Sequence, residues 1–105
     1  MTLGRQRLGA AGEDRAAAWY RSQGYAVVAR NWRCRDGELD LICAKGRQVV
    51  ICEVKTRSSL AFGHPAEAVT ATKQRRIRGL ASRWLIEGDP PFRPHEVRFD
   101  VAAVL

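Results

Sequence analysis

Cysteine is scarce in this chain and poorly spaced for framework chemistry. Only Cys34, Cys43 and Cys52 occur in 105 residues. The count is odd and there is no C-x-x-C, so neither a disulfide framework nor a zinc knuckle is suggested. All three lie in apolar or strand-like stretches, which reads as reduced thiols in a cytosolic protein. Long apolar runs are missing too. None approaches the roughly 18 residues that a membrane span needs. The opening stretch MTLGRQRLGAAG carries basic residues but no apolar region, so it is not a secretory signal. A soluble, cytoplasmic protein with no membrane partner is expected. There is no internal repeat and no low-complexity segment. Prolines are few, and most fall in GDPPFRP, Gly88–Pro94, which reads as a loop with residues 1–6 and Ser58–Pro65.

What is present fits one compact domain spanning residues 1–105, since this length leaves no room for a second. The chain is 46% hydrophobic and 28% charged, enough apolar material for a core and too much for general disorder. Net charge is +7, and the excess comes mostly from arginine. The guanidinium fork suits phosphate oxygens, so a small arginine-rich domain points first to nucleic acid.

Patterning gives the order α-β-β-β-α-β. A helix over about Leu8–Gln23 stops at Gly24, and a strand follows at about Tyr25–Arg30. GELDLICAKGRQVVICEVKTR reads as a hairpin. A second helix starts near Thr70 or Thr72 and ends near Gly88. In it Ile77, Leu80, Ala81, Trp84 and Leu85 recur on one face. A strand over about Glu96–Val104 alternates Val97, Phe99 and Val101 with Arg98 and Asp100. This order implies an α/β fold with a central mixed sheet flanked by helices, on either face or both on one. Strands apolar on both faces favour a covered sheet.

The hairpin carries the chemistry. With Gly46-Arg47 as a type II′ loop, Lys45 pairs with Gln48, Ile42 with Ile51, Asp40 with Glu53 and Glu38 with Lys55. Ile42, Ala44, Val49 and Ile51 near the turn then share one face with Glu38, Asp40, Glu53, Lys55 and Arg57 at the far end, and Leu39, Leu41, Val50, Cys52 and Val54 take the other. Two carboxylates side by side repel, and a divalent cation relieves that, since hard oxygens suit Mg²⁺. On this reading removing Asp40 could even stabilise the metal-free domain. Glu13 shares a helical stripe with Gly9, Ala16, Ala17 and Tyr20, so it is a candidate third acid facing the sheet. Gln74 shares a face with Ile77, Ala81 and Trp84.

These parts suit phosphodiester hydrolysis. Asp40 and Glu53 are the candidate Mg²⁺ ligands, with Mn²⁺ as a substitute. Lys55 is the candidate for orienting the water or stabilising transition-state charge, and Glu13 completes the catalytic set. Arg33, Arg35, Arg57, Lys73, Gln74 and Arg76 are the candidate contacts to DNA. The plain alternatives are an ion-paired hairpin end for Asp40, Glu53 and Lys55, and a solvated basic helix face for Lys73–Arg78. Glu38 reads as a solvent-facing acid or a partner for Lys55, and His64 as an exposed loop residue.

GELDLI, EVKTRSS, FGHPAEAV and TKQRRI, with GED near residue 12 and RNWRCR before the hairpin, closely resemble the YraN-like family of bacterial proteins. These are predicted endonucleases, distantly similar to Holliday junction resolvases within the PD-(D/E)xK nuclease superfamily. The resemblance runs from about Gly9 to Val104. It implies a restriction-endonuclease-like core, with the aspartate at Asp40, the E-x-K at Glu53 and Lys55, and the helix glutamate at Glu13. It also implies Mg²⁺-dependent cleavage of DNA, including branched or structured DNA. Symmetric cutting of a four-way junction needs two sites, hence a homodimer. The alternative function is a nucleic-acid-binding module with little or no catalytic activity.

Overall fold

The computed structural model describes residues 3–56 and 70–104. The expectations for Arg57, for His64 and for the Ser58–Pro65 loop lie outside the described residues. Six elements follow in the expected order: α1 (Leu3–Ser22), β1 (Ala26–Cys34), β2 (Gly37–Lys45), β3 (Gln48–Thr56), α2 (Ala71–Glu87) and β4 (Glu96–Val104). α1 begins earlier than its pattern suggested and takes in residues 3–6, while β1 runs on past Arg30 to Cys34.

Local chemistry sets the boundaries. α1 ends at Gly24, whose φ of +88° only glycine adopts freely. There the Tyr25 N–H reaches the Tyr20 carbonyl at 3.0 Å and the Gly24 N–H reaches that of Arg21 at 3.0 Å, a Schellman pair. Thr70 caps α2, its hydroxyl accepting the Lys73 N–H at 3.2 Å. Gly46 takes φ +60° in the two-residue turn between Lys45 and Gln48, as a type II′ hairpin requires.

The sheet order is β1-β2-β3-β4. β1–β2 and β2–β3 are antiparallel and β3–β4 is parallel, so the sheet is mixed. The helices cover opposite faces. α2 supplies Leu80, Ala81 and Trp84 against Leu39, Ile42, Ala44, Val49 and Ile51. α1 supplies Ala16, Ala17 and Tyr20 against Leu41, Cys43, Val50 and Cys52. Central strands sandwiched in this way must be apolar on both sides. Each fully buried Leu, Ile or Val there contributes about 1.5–3 kcal/mol. α1 approaches β3 so closely at Gly12 that a Cβ would sit 1.8 Å from Thr56 Oγ1. Among the described residues no helix is long and apolar enough to cross a membrane.

Candidate active site

The hairpin register holds from Lys45↔Gln48 through Ile42↔Ile51 to Leu41↔Cys52, and then the ladder stops. The expected pairs Asp40–Glu53 and Glu38–Lys55 are therefore not ladder partners. Strict alternation fails at the same place. Leu39 packs on the α2 side with Ile42, whereas Leu41 packs on the α1 side. The expectation that Leu39 and Leu41 share a face is corrected, because the backbone turns over at Asp40. The Asp40 carboxylate fills the break, its Oδ2 accepting the Val54 N–H at 2.9 Å.

The consequence is convergence. The Asp40 and Glu53 carboxyl groups lie close enough for each to influence the other's titration. Burial is the main force raising the Glu53 pKa, and the neighbouring Asp40 charge adds to it. Together they push it from 4.5 to about 7, with Lys55 opposing. Burial also raises Asp40, the Val54 hydrogen bond opposes the rise, and the Glu38 charge adds to it. Glu53 Oε2 is buried and has no hydrogen-bond partner. A carboxylate oxygen in that condition is expensive unless a cation or proton meets it.

Glu53 opens into two adjoining clefts beneath α2. One, of about 280 Å³, is lined by Glu38, Glu53, Lys55, Lys73 and Arg76 with Ile77 and Leu80. At roughly 30 Å³ per water, it has room for a hydrated ion and a phosphate group. The other is lined by Glu53 and Gln74 with Ile51, Ile77, Arg78, Phe99, Asp100 and Val101. The structure thus brings Asp40, Glu53, Lys55, Lys73, Gln74 and Arg76 to one region. Arg76 also donates to the Asp36 carbonyl at 3.5 Å.

The remaining candidates lie around it. Glu13 is one turn before Ala16 and Ala17, and its side chain is 20% exposed, so it does turn toward the sheet. It accepts from Asn31 Nδ2 at 3.1 Å and pairs with Arg30 at 3.8 Å, with no contact to Asp40 among the described interactions. Arg33 is ion-paired with Glu38 at 2.6 Å, so Glu38 is neither free nor, among the described ion pairs, joined to Lys55. Arg35 is exposed beyond the end of β1, 4.0 Å from Asp36.

Two features escaped the sequence. Asn31, the partner of Glu13, is one. The other is the charge cluster on β4, where Arg98 grips Asp100 through Nε at 2.8 Å and Nη2 at 2.9 Å. Tyr20 donates to the same carboxylate at 2.5 Å. This ties α1 to the edge strand. Cys43 and Cys52 are free and buried, their thiols pushed up to about 12 and about 11, chiefly by desolvation, so they are protonated at neutral pH.

Comparison with known proteins agrees with the sequence motifs. The model of "Uncharacterised protein family UPF0102" matches residues 12–104. The chain belongs to UPF0102. This is the YraN-like family. A UPF0102 protein of Beutenbergia cavernae is 59% identical over 98 residues, covering 93% of this chain and 81% of the relative. One from Nocardia farcinica is 55% identical over 101 residues, covering 96% and 78%. One from Rhodococcus opacus is 53% identical over 98 residues, covering 93% and 81%.

The acidic pair passes a chemical test for a hard divalent cation. Its donors are carboxylate oxygens, and one of them is buried with nothing opposite it. Among the described residues no three His, Cys, Asp or Glu side chains group as a metal site, so the candidate ligands there are the Asp40 and Glu53 carboxylates. Mg²⁺ commonly binds through one or two carboxylates and keeps the rest of its shell as water and phosphate oxygens.

Proposed function

We propose that this UPF0102 domain is a metal-dependent endonuclease that hydrolyses phosphodiester bonds in DNA. The observation that carries the reading is the unpartnered Glu53 Oε2, held beside Asp40 in a cleft rimmed by Lys55, Lys73 and Arg76. Asp40 and Glu53 are the ligands for Mg²⁺ or Mn²⁺. The ion would supply Lewis-acid activation of a water and neutralisation of phosphoryl charge.

The chain's own residues do the rest. Burial, with the Asp40 charge adding to it, holds a proton on Glu53 up to about pH 7, and its release leaves an anionic pair. Lys55 lines the same cleft, where its charge stabilises charge that grows on the phosphoryl oxygens. Lys73 and Arg76, on the opening turns of α2, hold the strand through its phosphates. Gln74 reaches the neighbouring cleft, where it orients substrate or water against Glu53.

The deciding experiment is cleavage of linear, flapped and four-way DNA in Mg²⁺ or Mn²⁺, with Lys55→Ala in parallel. Metal-dependent cutting that the variant loses supports the reading, and cutting equal in both proteins refutes the assigned site. That no three His, Cys, Asp or Glu side chains among the described residues group to hold a metal favours one second reading, a DNA-binding module with little hydrolysis. It predicts salt-sensitive binding that survives Asp40→Ala and Glu53→Ala, with no metal-dependent rise in melting temperature.

A further inference from the structure

We propose that Asn31 is a positioning residue for the acidic pair: its left-handed backbone holds β1 open at the rung that carries Asp40, freeing that carboxylate to reach β3. Asn31 has φ +52°, inside a strand. Non-glycine residues seldom adopt this conformation, and it clusters at functional sites where the surroundings enforce it. Asparagine tolerates it better than most residues, and β-branched residues tolerate it poorly.

The register shows what the conformation does. Arg30 pairs with Leu41 and Trp32 with Leu39, while the rung between them, Asn31 opposite Asp40, is skipped. The β2–β3 ladder also stops short of Asp40. Asp40 is thus left out of the ladders on both sides. Face alternation breaks on both strands at this rung. Ala29 and Trp32 both pack on the α2 side, although three residues apart, and so do their partners Ile42 and Leu39. The two strands turn over together, and Asp40 emerges at the break with its Oδ2 on the Val54 N–H. The Asn31 side chain fixes the opposite flank by donating to Glu13 at 3.1 Å, which anchors the turned-over rung to α1.

This inference deepens the cation-site reading of Asp40 and Glu53, and its test separates the two. Asn31→Gly keeps the left-handed backbone accessible, and Asn31→Val opposes it. Two quantities are read in each: hydrogen exchange of the Val54 amide in metal-free protein, and Mn²⁺ affinity by calorimetry. In Asn31→Val the amide should exchange at least about tenfold faster and Mn²⁺ should bind about tenfold more weakly, the usual cost of a lost outer support. In Asn31→Gly, which keeps the backbone and loses only the bond to Glu13, both should shift far less than in Asn31→Val. If Asn31→Val does not fold, Asn31→Ala carries the same comparison at smaller steric cost. A parent-like Asn31→Val overturns the proposal, and so does an Asn31→Gly as impaired as Asn31→Val. If the parent binds no Mn²⁺ while Val54 exchange still follows the expected order, positioning stands and the cation reading falls. If the parent binds Mn²⁺ and position 31 leaves Val54 indifferent, the reverse holds.

Discussion

The Asp40 carboxylate accepts the Val54 backbone N–H at 2.9 Å, just past the last rung of the β2–β3 ladder. Asp40 therefore does two jobs. It closes the splayed end of the hairpin, and it stands against Glu53.

The two jobs separate by substitution. Repulsion alone made removal of Asp40 look stabilising, but Asp40→Ala also leaves the part-buried Val54 N–H without its acceptor. An orphaned donor of this kind costs about 1–3 kcal/mol. In EDTA, Asp40→Ala should melt below the parent. Asp40→Asn, which keeps an oxygen acceptor and sheds the charge, should melt at or above it. Both should lose any stabilisation by Mn²⁺. Thermal melts with and without metal check this, and an Asp40→Ala protein more stable than Asp40→Asn would contradict it.

The raised Glu53 pKa makes metal-free stability depend on pH. Below 4.5 the carboxyl is protonated folded or unfolded, and nothing is lost. As pH rises toward about 7 the unfolded chain releases the proton while the folded protein retains it, so stability falls and the loss is complete above about 7. Asp40, also raised, acts in the same direction. Glu53→Gln should flatten this part of the profile. Stabilisation by Mg²⁺ should grow over the same range as the site ionises. Melting curves between pH 4.5 and 8 test this, and matching slopes in parent and Glu53→Gln would show that Glu53 ionises unhindered.

Much of this was legible in the sequence because it follows from periodicity. The Gly46 turn fixed the register of Ile42 and Ile51, and the Ile77–Leu85 stripe located the buried face of α2. Glycine and threonine marked the helix ends at Gly24 and Thr70. The fine structure of the site was hidden because it breaks that periodicity. Leu39 alternates perfectly with Leu41 on paper, yet packs on the opposite face. The cause, a left-handed Asn31 one strand away, leaves no local pattern beyond an asparagine in an otherwise strand-like run. The Arg98–Asp100–Tyr20 cluster was hidden likewise, since Tyr20 and Asp100 are eighty positions apart.

Lys55 should separate chemistry from metal binding. It lowers the Glu53 pKa through its charge, so Lys55→Ala should raise that pKa further and move the basic onset of any activity to higher pH. Loss of a donor aimed at developing charge costs roughly 10²–10³ in kcat. Mn²⁺ affinity measured above pH 8, past the Glu53 pKa of about 7, should hold or improve, because a competing cation has gone. Weaker Mn²⁺ binding in Lys55→Ala at that pH would mean that Lys55 shapes the ligand pair rather than serving the reaction.

The basic residues of α2 make a graded prediction for DNA. Removing one phosphate-binding side chain should reduce the slope of log affinity against log salt by about 0.9 on duplex DNA. Lys73 is exposed on the opening turn of α2 and lines the cleft with Glu53, so Lys73→Ala should change the slope by that amount and leave the melting temperature unaltered. Arg76 lines the same cleft but also donates to the Asp36 carbonyl and lies against Gly37, joining α2 to the β1–β2 turn. Arg76→Ala should therefore lower both the slope and the melting temperature. Binding titrations from about 50 to 200 mM salt resolve the two effects. An unchanged slope in Lys73→Ala would remove the opening turn of α2 from the path of the phosphates, because no packing change in that variant could mask the loss.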